Sequence, residues 1–493
     1  MKNYKYIALF LLAMGSISCE NTDFDPLPAE AEAPFVALNT NGIDFSRFVS
    51  VGASFTAGFT DNGLFIAGQE NSFPNILATK FNTTFNQPLM NDNFGGLAVG
   101  GNRILEPRFV FGGSGPVPLE SVIGGVTVST DIVLNNPTGP FNNLGVPGAK
   151  SFHMIAPGYG SLANFPAAAN PYAIRLTGTS PNKSMLELAV EQNPTFFTLS
   201  EVGGNDILGF ATSGGDGSNP ITPTATFDFA LTMLVNGLTA NGAKGAIGNL
   251  PNITSLSFFT TVAHNAVPLD EATAAQLNAG YAAYNGGLQQ AFAALSQLAP
   301  GLFTEEEVNR RTINFTAGQN AVVIVDENLT DLAALNPAFA AIPQFRQATA
   351  EDLILLTASS LLPNGGGTAT PLSDTFVLTP QEQQEIATAT DAYNASIANI
   401  AASKGIALVD LNAILVEASQ GGVTFDESFL TTDLVTGGLI SLDGVHLTSR
   451  GYAKMANAFL EAIDATYGSN FGQATDGLAK ADDYPTNYSP TLR

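Results

Sequence analysis

Short apolar runs alternate along this chain with segments of helical period, and few folds satisfy that alternation. Phe48-Val49-Ser50-Val51 is a strand that stops at Gly52, and further strands are predicted around Phe141 to Val146, at Thr195 to Val202, Gly245 to Leu250 and Ile406 to Asp410. Between them, Phe73 to Phe81 and Ser184 to Gln192 read as helices. Phe227, Leu231, Leu234 and Leu238 recur at helical spacing before the stop signal Asn241-Gly242. Thr379-Pro380-Gln381-Glu382 is a capping box, opening a helix whose apolar face is Ile386, Ala389, Tyr393, Ile397 and Ile400. Tyr452, Met455, Phe459 and Ile463 mark a last amphipathic helix. Strands separated by helices must run parallel, which predicts an α/β fold with a sheet covered on both faces.

Composition sets the scale. A hydrophobic fraction of 45% and 34 Phe supply a large core, while 49 Gly and 28 Pro imply many loops. The net charge of -25, with only 18 Lys and Arg, repels a phosphate backbone, so nucleic acid is not an expected partner. No internal repeat is visible, and no linker-like shift interrupts residues 41 to 470, which are read as one decorated domain. Two insertions are predicted. Residues 84–140, rich in Gly, Asn and Pro, read as irregular or β-like. Residues 251–378 carry a helix near 271 to 298 and a hairpin pairing Ile313 and Phe315 with Val322 and Ile324. Either a lid or a thickened scaffold fits these insertions. Residues 471–493 read as a polar C-terminal tail.

The N-terminus reads as an address. Lys2 and Lys5 precede an apolar run, Ile7 to Met14, too short to span a bilayer, and Ser16-Ile17-Ser18 lead to Cys19. This resembles a bacterial lipoprotein signal, although Ser16 stands where such signals usually carry Leu. The resemblance implies a signal peptide over residues 1–18, lipid on Cys19 and a membrane-anchored protein of the cell envelope, with the outer membrane its expected location. Cys19 is the only cysteine, so it has no intrachain disulfide partner. An ordinary signal peptide with an incidental cysteine is the alternative. Residues 19–40, with Glu20, Asp23, Asp25, Pro26, Pro28 and Pro34, read as an acidic flexible tether. The acidic run also resembles the export signal of some surface lipoproteins.

Polar motifs sit at the strand ends. Gly52-Ala53-Ser54-Phe55-Thr56-Ala57-Gly58 follows the first strand, and Asn143-Leu144-Gly145-Val146-Pro147-Gly148 closes the second. Gly203-Gly204-Asn205-Asp206 closes the third, and Asp443-Gly444-Val445-His446-Leu447-Thr448 precedes the final helix. In a parallel sheet these ends share one edge, where ligands bind. Ester hydrolysis has a use for each motif. A serine hydroxyl needs a base, histidine is the usual one near neutral pH, and histidine needs a carboxylate to orient it. Asp443 lies three residues before His446, so one tight loop can join them. The developing oxyanion needs donors, for which the backbone N–H of Ser54, the backbone N–H of Gly148 and the side-chain amide of Asn205 are candidates. Asp206 reads as a loop brace, His153 as a solvated surface residue, and His264 has no assigned role.

In this order the four motifs resemble blocks I, II, III and V of the GDSL/SGNH hydrolases. The resemblance implies a three-layer α/β/α sandwich around a five-stranded parallel sheet, and catalysis without cofactor or metal. It makes Ser54 the nucleophile, Asp443 and His446 the rest of the triad, and Ser54, Gly148 and Asn205 the oxyanion hole. One departure stands out: block I of that family usually reads Gly-Asp-Ser, and here Ala53 replaces the aspartate that would brace the nucleophile loop. The expected activity is cleavage of carboxylic esters, as an esterase or lipase. A carbohydrate deacetylase of the same mechanism and a non-catalytic surface-binding lipoprotein are the alternatives.

Overall fold

A computed structural model describes residues 34–493 apart from residue 299. The predicted signal peptide, Cys19 and all but the last residues of the predicted tether lie outside the described residues. Five strands form the central sheet: β1 (Phe48–Gly52), β2 (Asn143–Gly145), β3 (Phe196–Leu199), β4 (Lys244–Gly248) and β5 (Ala407–Val409). All neighbours are parallel, in the spatial order β5-β4-β3-β1-β2. The predicted α/β class with a parallel sheet therefore holds. Val51 of β1 pairs with Leu144 on one side and Leu199 on the other. The order of strands reverses direction between β1 and β3, which opens a crevice beyond their carboxyl ends.

Helices flank the sheet: α1 (Ser54–Ala57), α2 (Phe73–Lys80), α3 (Met185–Val190), α4 (Gly204–Thr212), α5 (Thr224–Thr239), α7 (Pro380–Lys404), α8 (Leu411–Gln420) and α9 (Ser449–Tyr467), while α6 (Glu271–Leu298) builds separate apolar clusters within the second insertion. They pack in two groups, consistent with three layers. α9 lies on β4 and β5 and against α2, while α5 packs with α3 and α7. Local sequence explains several boundaries. Ser184 and Glu187 close a reciprocal capping box on α3, as Thr379 and Glu382 do on α7, where Gly405 ends the helix in a left-handed conformation. Apolar faces do the rest. Phe227 stacks on Tyr393 with ring centroids 4.0 Å apart, and Phe73 stacks on Phe459 at 4.9 Å.

The insertions are folded. Residues 84–140 hold two small hairpins, Leu97–Val99 with Asn102–Leu105 and Phe109–Phe111 with Pro116–Pro118. In residues 251–378 the long helix α6 is where the sequence places it, but the expected hairpin does not form. Val323–Val325 pairs instead with Phe345–Gln347, and Gly318–Asn320 with Val267–Leu269. The stretch around Ile313 and Phe315 finds its backbone partners on α6. Asn285 and Asn278 each accept from and donate to one of these two residues, at 2.8–3.0 Å. Two side-chain amides thus take the place of a strand.

The C-terminal residues do not trail away. Phe471 and Tyr488 are buried, and Asn71 Nδ2 donates to Tyr488 Oη at 3.0 Å. The fully buried Arg108 lies 5.0 Å from the Phe65 ring centre and donates from Nη2 to the Ser489 carbonyl at 2.8 Å. Asn93 Nδ2 donates to the Arg493 carbonyl at 2.8 Å. Among the described residues no helix is long and apolar enough to cross a membrane.

Candidate active site

Ser54 is the first residue of the single helical turn α1, directly beyond β1. Its backbone N–H therefore has no intrahelical acceptor. The side chain is 4% exposed, and its hydroxyl donates to Glu201 Oε1 at 3.1 Å. Glu201 Oε2 accepts from the backbone N–H of Phe55 at 2.6 Å and of Thr56 at 3.3 Å. One carboxylate thus holds the whole first turn of α1. The sequence reading missed Glu201. The available signal was an acidic residue between the buried strand β3 and Gly203-Gly204, where a charge needs a reason.

Asp443 and His446 meet as their spacing predicts, His446 Nδ1 lying 2.9 Å from Asp443 Oδ2. Asp443 also accepts from the backbone N–H groups of Asn62, Val445 and His446, each at 2.8 Å. Burial pushes its carboxyl up, but the adjacent His446 and these donors outweigh burial and hold it well below the usual carboxylate range. His446 is the converse. Burial disfavours its cation, but Asp443, then Glu201 and Asp61, raise its pKa above that of a free histidine. Burial lifts Glu201 to about 7, against the opposing pull of His446 and of the donors on α1. Asp61 is also raised to about 7, chiefly by burial. It accepts from the Leu442 N–H at 3.1 Å and so steadies the loop that carries Asp443.

Ser54 makes no hydrogen bond to His446 in this structure; its hydroxyl is turned to Glu201. Both side chains nevertheless line one cleft, together with Glu201 and Asn205. The rest of that cleft is mostly apolar, with Leu208, Leu250, Ile253, Leu411, Ile414 and Leu415 on its walls and Asn249, Thr390 and Lys454 at their side. The Phe59 ring centre lies 4.6 Å from that of His446 and confines the imidazole.

Asn205 is held in the first turn of α4, and its Nδ2 donates one hydrogen to the Ala149 carbonyl at 3.0 Å, leaving the other free. Gly203, just before α4, has φ +102°, and a Cβ there would come within 2.7 Å of Phe227. Only glycine can turn the chain here. Gly148, in a left-handed conformation, is exposed between the buried Pro147 and Ala149 and does not line the cleft wall. Asp206 is fully buried and accepts from both the N–H and the Oγ of Ser151 at 2.7 Å, which ties α4 to the loop that carries Gly148. His153 is half-buried and stacked on Tyr159 at 4.3 Å, and its Nδ1 accepts from the Lys150 N–H. Neither His153 nor His264 lines the cleft.

Chemically, the cleft offers a buried hydroxyl, an imidazole oriented by an ionised carboxylate, and amide donors, all at the mouth of an apolar hollow. No family model, curated protein or solved structure matches this chain.

Proposed function

We propose that this chain is a serine ester hydrolase of the GDSL/SGNH type, acting on carboxylic esters whose acyl group enters the apolar cleft. The observation that carries the reading is the Asp443–His446 pair opening onto the same cleft as Ser54. In this mechanism Ser54 Oγ leaves Glu201 and attacks the ester carbon while His446 takes its proton. The imidazolium, stabilised by Asp443, then protonates the departing alkoxide. Water repeats the sequence to release the acid. The oxyanion is met by the Ser54 N–H and by the free Asn205 amide hydrogen, with the Gly148 N–H the third donor that the resemblance implies. Glu201 takes over the bracing that Ala53 cannot give, since its carboxylate binds the N–H groups of the nucleophile turn. The apolar walls favour an acyl chain over a sugar ring, which ranks esterase or lipase activity above deacetylation of a polysaccharide. Lipidation at Cys19 and an envelope location belong to the same proposal.

The test is turnover of p-nitrophenyl esters from acetyl to palmitoyl, with labelling by a fluorophosphonate probe. Ser54→Ala should abolish labelling. His446→Ala and Asp443→Asn should each lower kcat by about 10³–10⁴-fold, and the double variant should be scarcely worse than His446→Ala alone, because the pair works as one unit. Losses that multiplied would refute the triad. Folded protein without turnover on any ester or acetylated glycan would favour a binding protein on the same scaffold.

A further inference from the structure

Away from the cleft, three carboxylates from separate segments converge. Glu327 follows the strand Val323–Val325 of the second insertion, Asp374 opens a short 3-10 turn near the end of that insertion, and Glu382 lies in the first turn of α7. One oxygen from each lies within 4.8 Å of the others. Like charges so close repel, and burial strengthens the repulsion. The chain ordinarily answers this problem with a guanidinium. In the same insertion Arg346 binds Asp326 at 2.5 Å and Asp352 at 2.6 Å, which uses up its fork. Among the described residues no Lys or Arg forms an ion pair with Glu327, Asp374 or Glu382.

A second observation points the same way. Glu382 is 4% exposed, and its Oε2 is committed to the capping box, accepting from Thr379 N–H at 2.6 Å and Thr379 Oγ1 at 2.9 Å. Its other oxygen, Oε1, is buried, aims into the cluster and meets no donor; Asp374 Oδ1 is likewise buried without one. The backbone leaves room for these groups. Gly215, at φ +74°, passes so close that a Cβ there would lie 2.5 Å from Glu382 Oε1, and one at Gly214 would lie 2.0 Å from the Asp374 carbonyl oxygen. Donorless buried oxygens of this kind need an electropositive partner.

We infer that Glu327, Asp374 and Glu382 bind a divalent cation, calcium in preference to magnesium, which fastens the second insertion to the N-terminal end of α7. Hard carboxylate oxygens suit either ion. Calcium, at about 2.4 Å from each ligand, spans oxygens up to about 4.8 Å apart, whereas magnesium at about 2.1 Å demands a tighter and more regular set. Water and backbone carbonyls complete the shell. Gly214 and Gly215, just past the end of α4, pass against Asp374 and Glu382, so the site also borders the helix whose first turn holds Asn205; the binding itself does not depend on the esterase reading.

The experiment uses the full chain, stripped with a chelator and dialysed. Thermal melting and isothermal titration are followed with calcium chloride, magnesium chloride and sodium chloride at matched ionic strength. Calcium at a hundredfold excess over its Kd should raise the Tm by at least about 3 °C. Glu327 is exposed, so E327Q should fold normally. It should bind calcium at least about tenfold more weakly and, without metal, melt no lower than the wild type, because one repelling charge is gone. D374N should behave likewise. A stripped wild type that binds neither ion, and whose Tm responds only to acidification, would overturn the site in favour of shared protons. Equal responses to magnesium and calcium would overturn the choice of ion.

Discussion

Glu201 answers to two demands at once: it holds the turn that presents Ser54, and its charge faces His446. Burial lifts it to about 7, so at neutral pH it is only partly ionised, and its charge contributes to the raised pKa of His446. If the proposed mechanism holds, His446 acts when neutral, and kcat/KM should rise with pH through an ionisation above the ordinary histidine value of about 6.5. Glu201→Gln removes the charge yet keeps an acceptor for the Phe55 N–H. The midpoint of that pH profile should then move down, with kcat falling about 10–100-fold from looser placement of the nucleophile. A profile measured on a short-chain p-nitrophenyl ester, with its midpoint unmoved, would leave Glu201 a purely mechanical brace. The Asp443–His446 pair was legible because both residues sit in one local motif of fixed spacing. Glu201 was not, because its partners lie about 147 positions back along the chain, and only the pairing of β1 with β3 brings them together.

At the scale of elements, the sheet and its helices were legible because period and capping residues are local properties. The expected β1, β3, β4 and β5, α2, α3, α5, α7 and α9 all lie within a few residues of their predicted places. The failures have a common physical cause. Ile313 and Phe315 alternate like a strand, but alternation records only which side chains are buried, and here the burial is against α6. The backbone partners are the amides of Asn278 and Asn285, which no periodicity announces. Asn285→Ala would leave the N–H and carbonyl of the buried Ile313 unpaired, at a cost of about 2–4 kcal/mol. Urea denaturation should show this as a lower midpoint with an unchanged slope. A loss within experimental error would mean that the stretch re-pairs elsewhere.

For the whole molecule, charge and burial act in one direction. Asp61 and Glu201 are raised to about 7, and His446 is raised above its free value. Folding therefore favours their protonated forms. The stability the two acids contribute is complete below their unfolded values near 4 and is lost as pH rises through about 7; that of His446 is lost above about 6.5. Asp443 runs the other way, but its contribution disappears only in stronger acid. The net charge of -25 adds a repulsion that also weakens on mild acidification. With chelator present, the Tm should be higher near pH 5.5 than at pH 8, and sodium chloride should narrow the gap by screening surface repulsion; a Tm that climbed steadily to pH 8 would contradict this. The burial of Arg108 also imposes an order of events on folding. Its guanidinium depends on the Ser489 carbonyl, and Asn93 on that of Arg493, so the first insertion cannot satisfy its buried donors until residues 488–493 have been synthesised. Chains truncated before residue 488 should keep the region around residues 93–109 open to proteases, and restoring residues 488–493 should protect it.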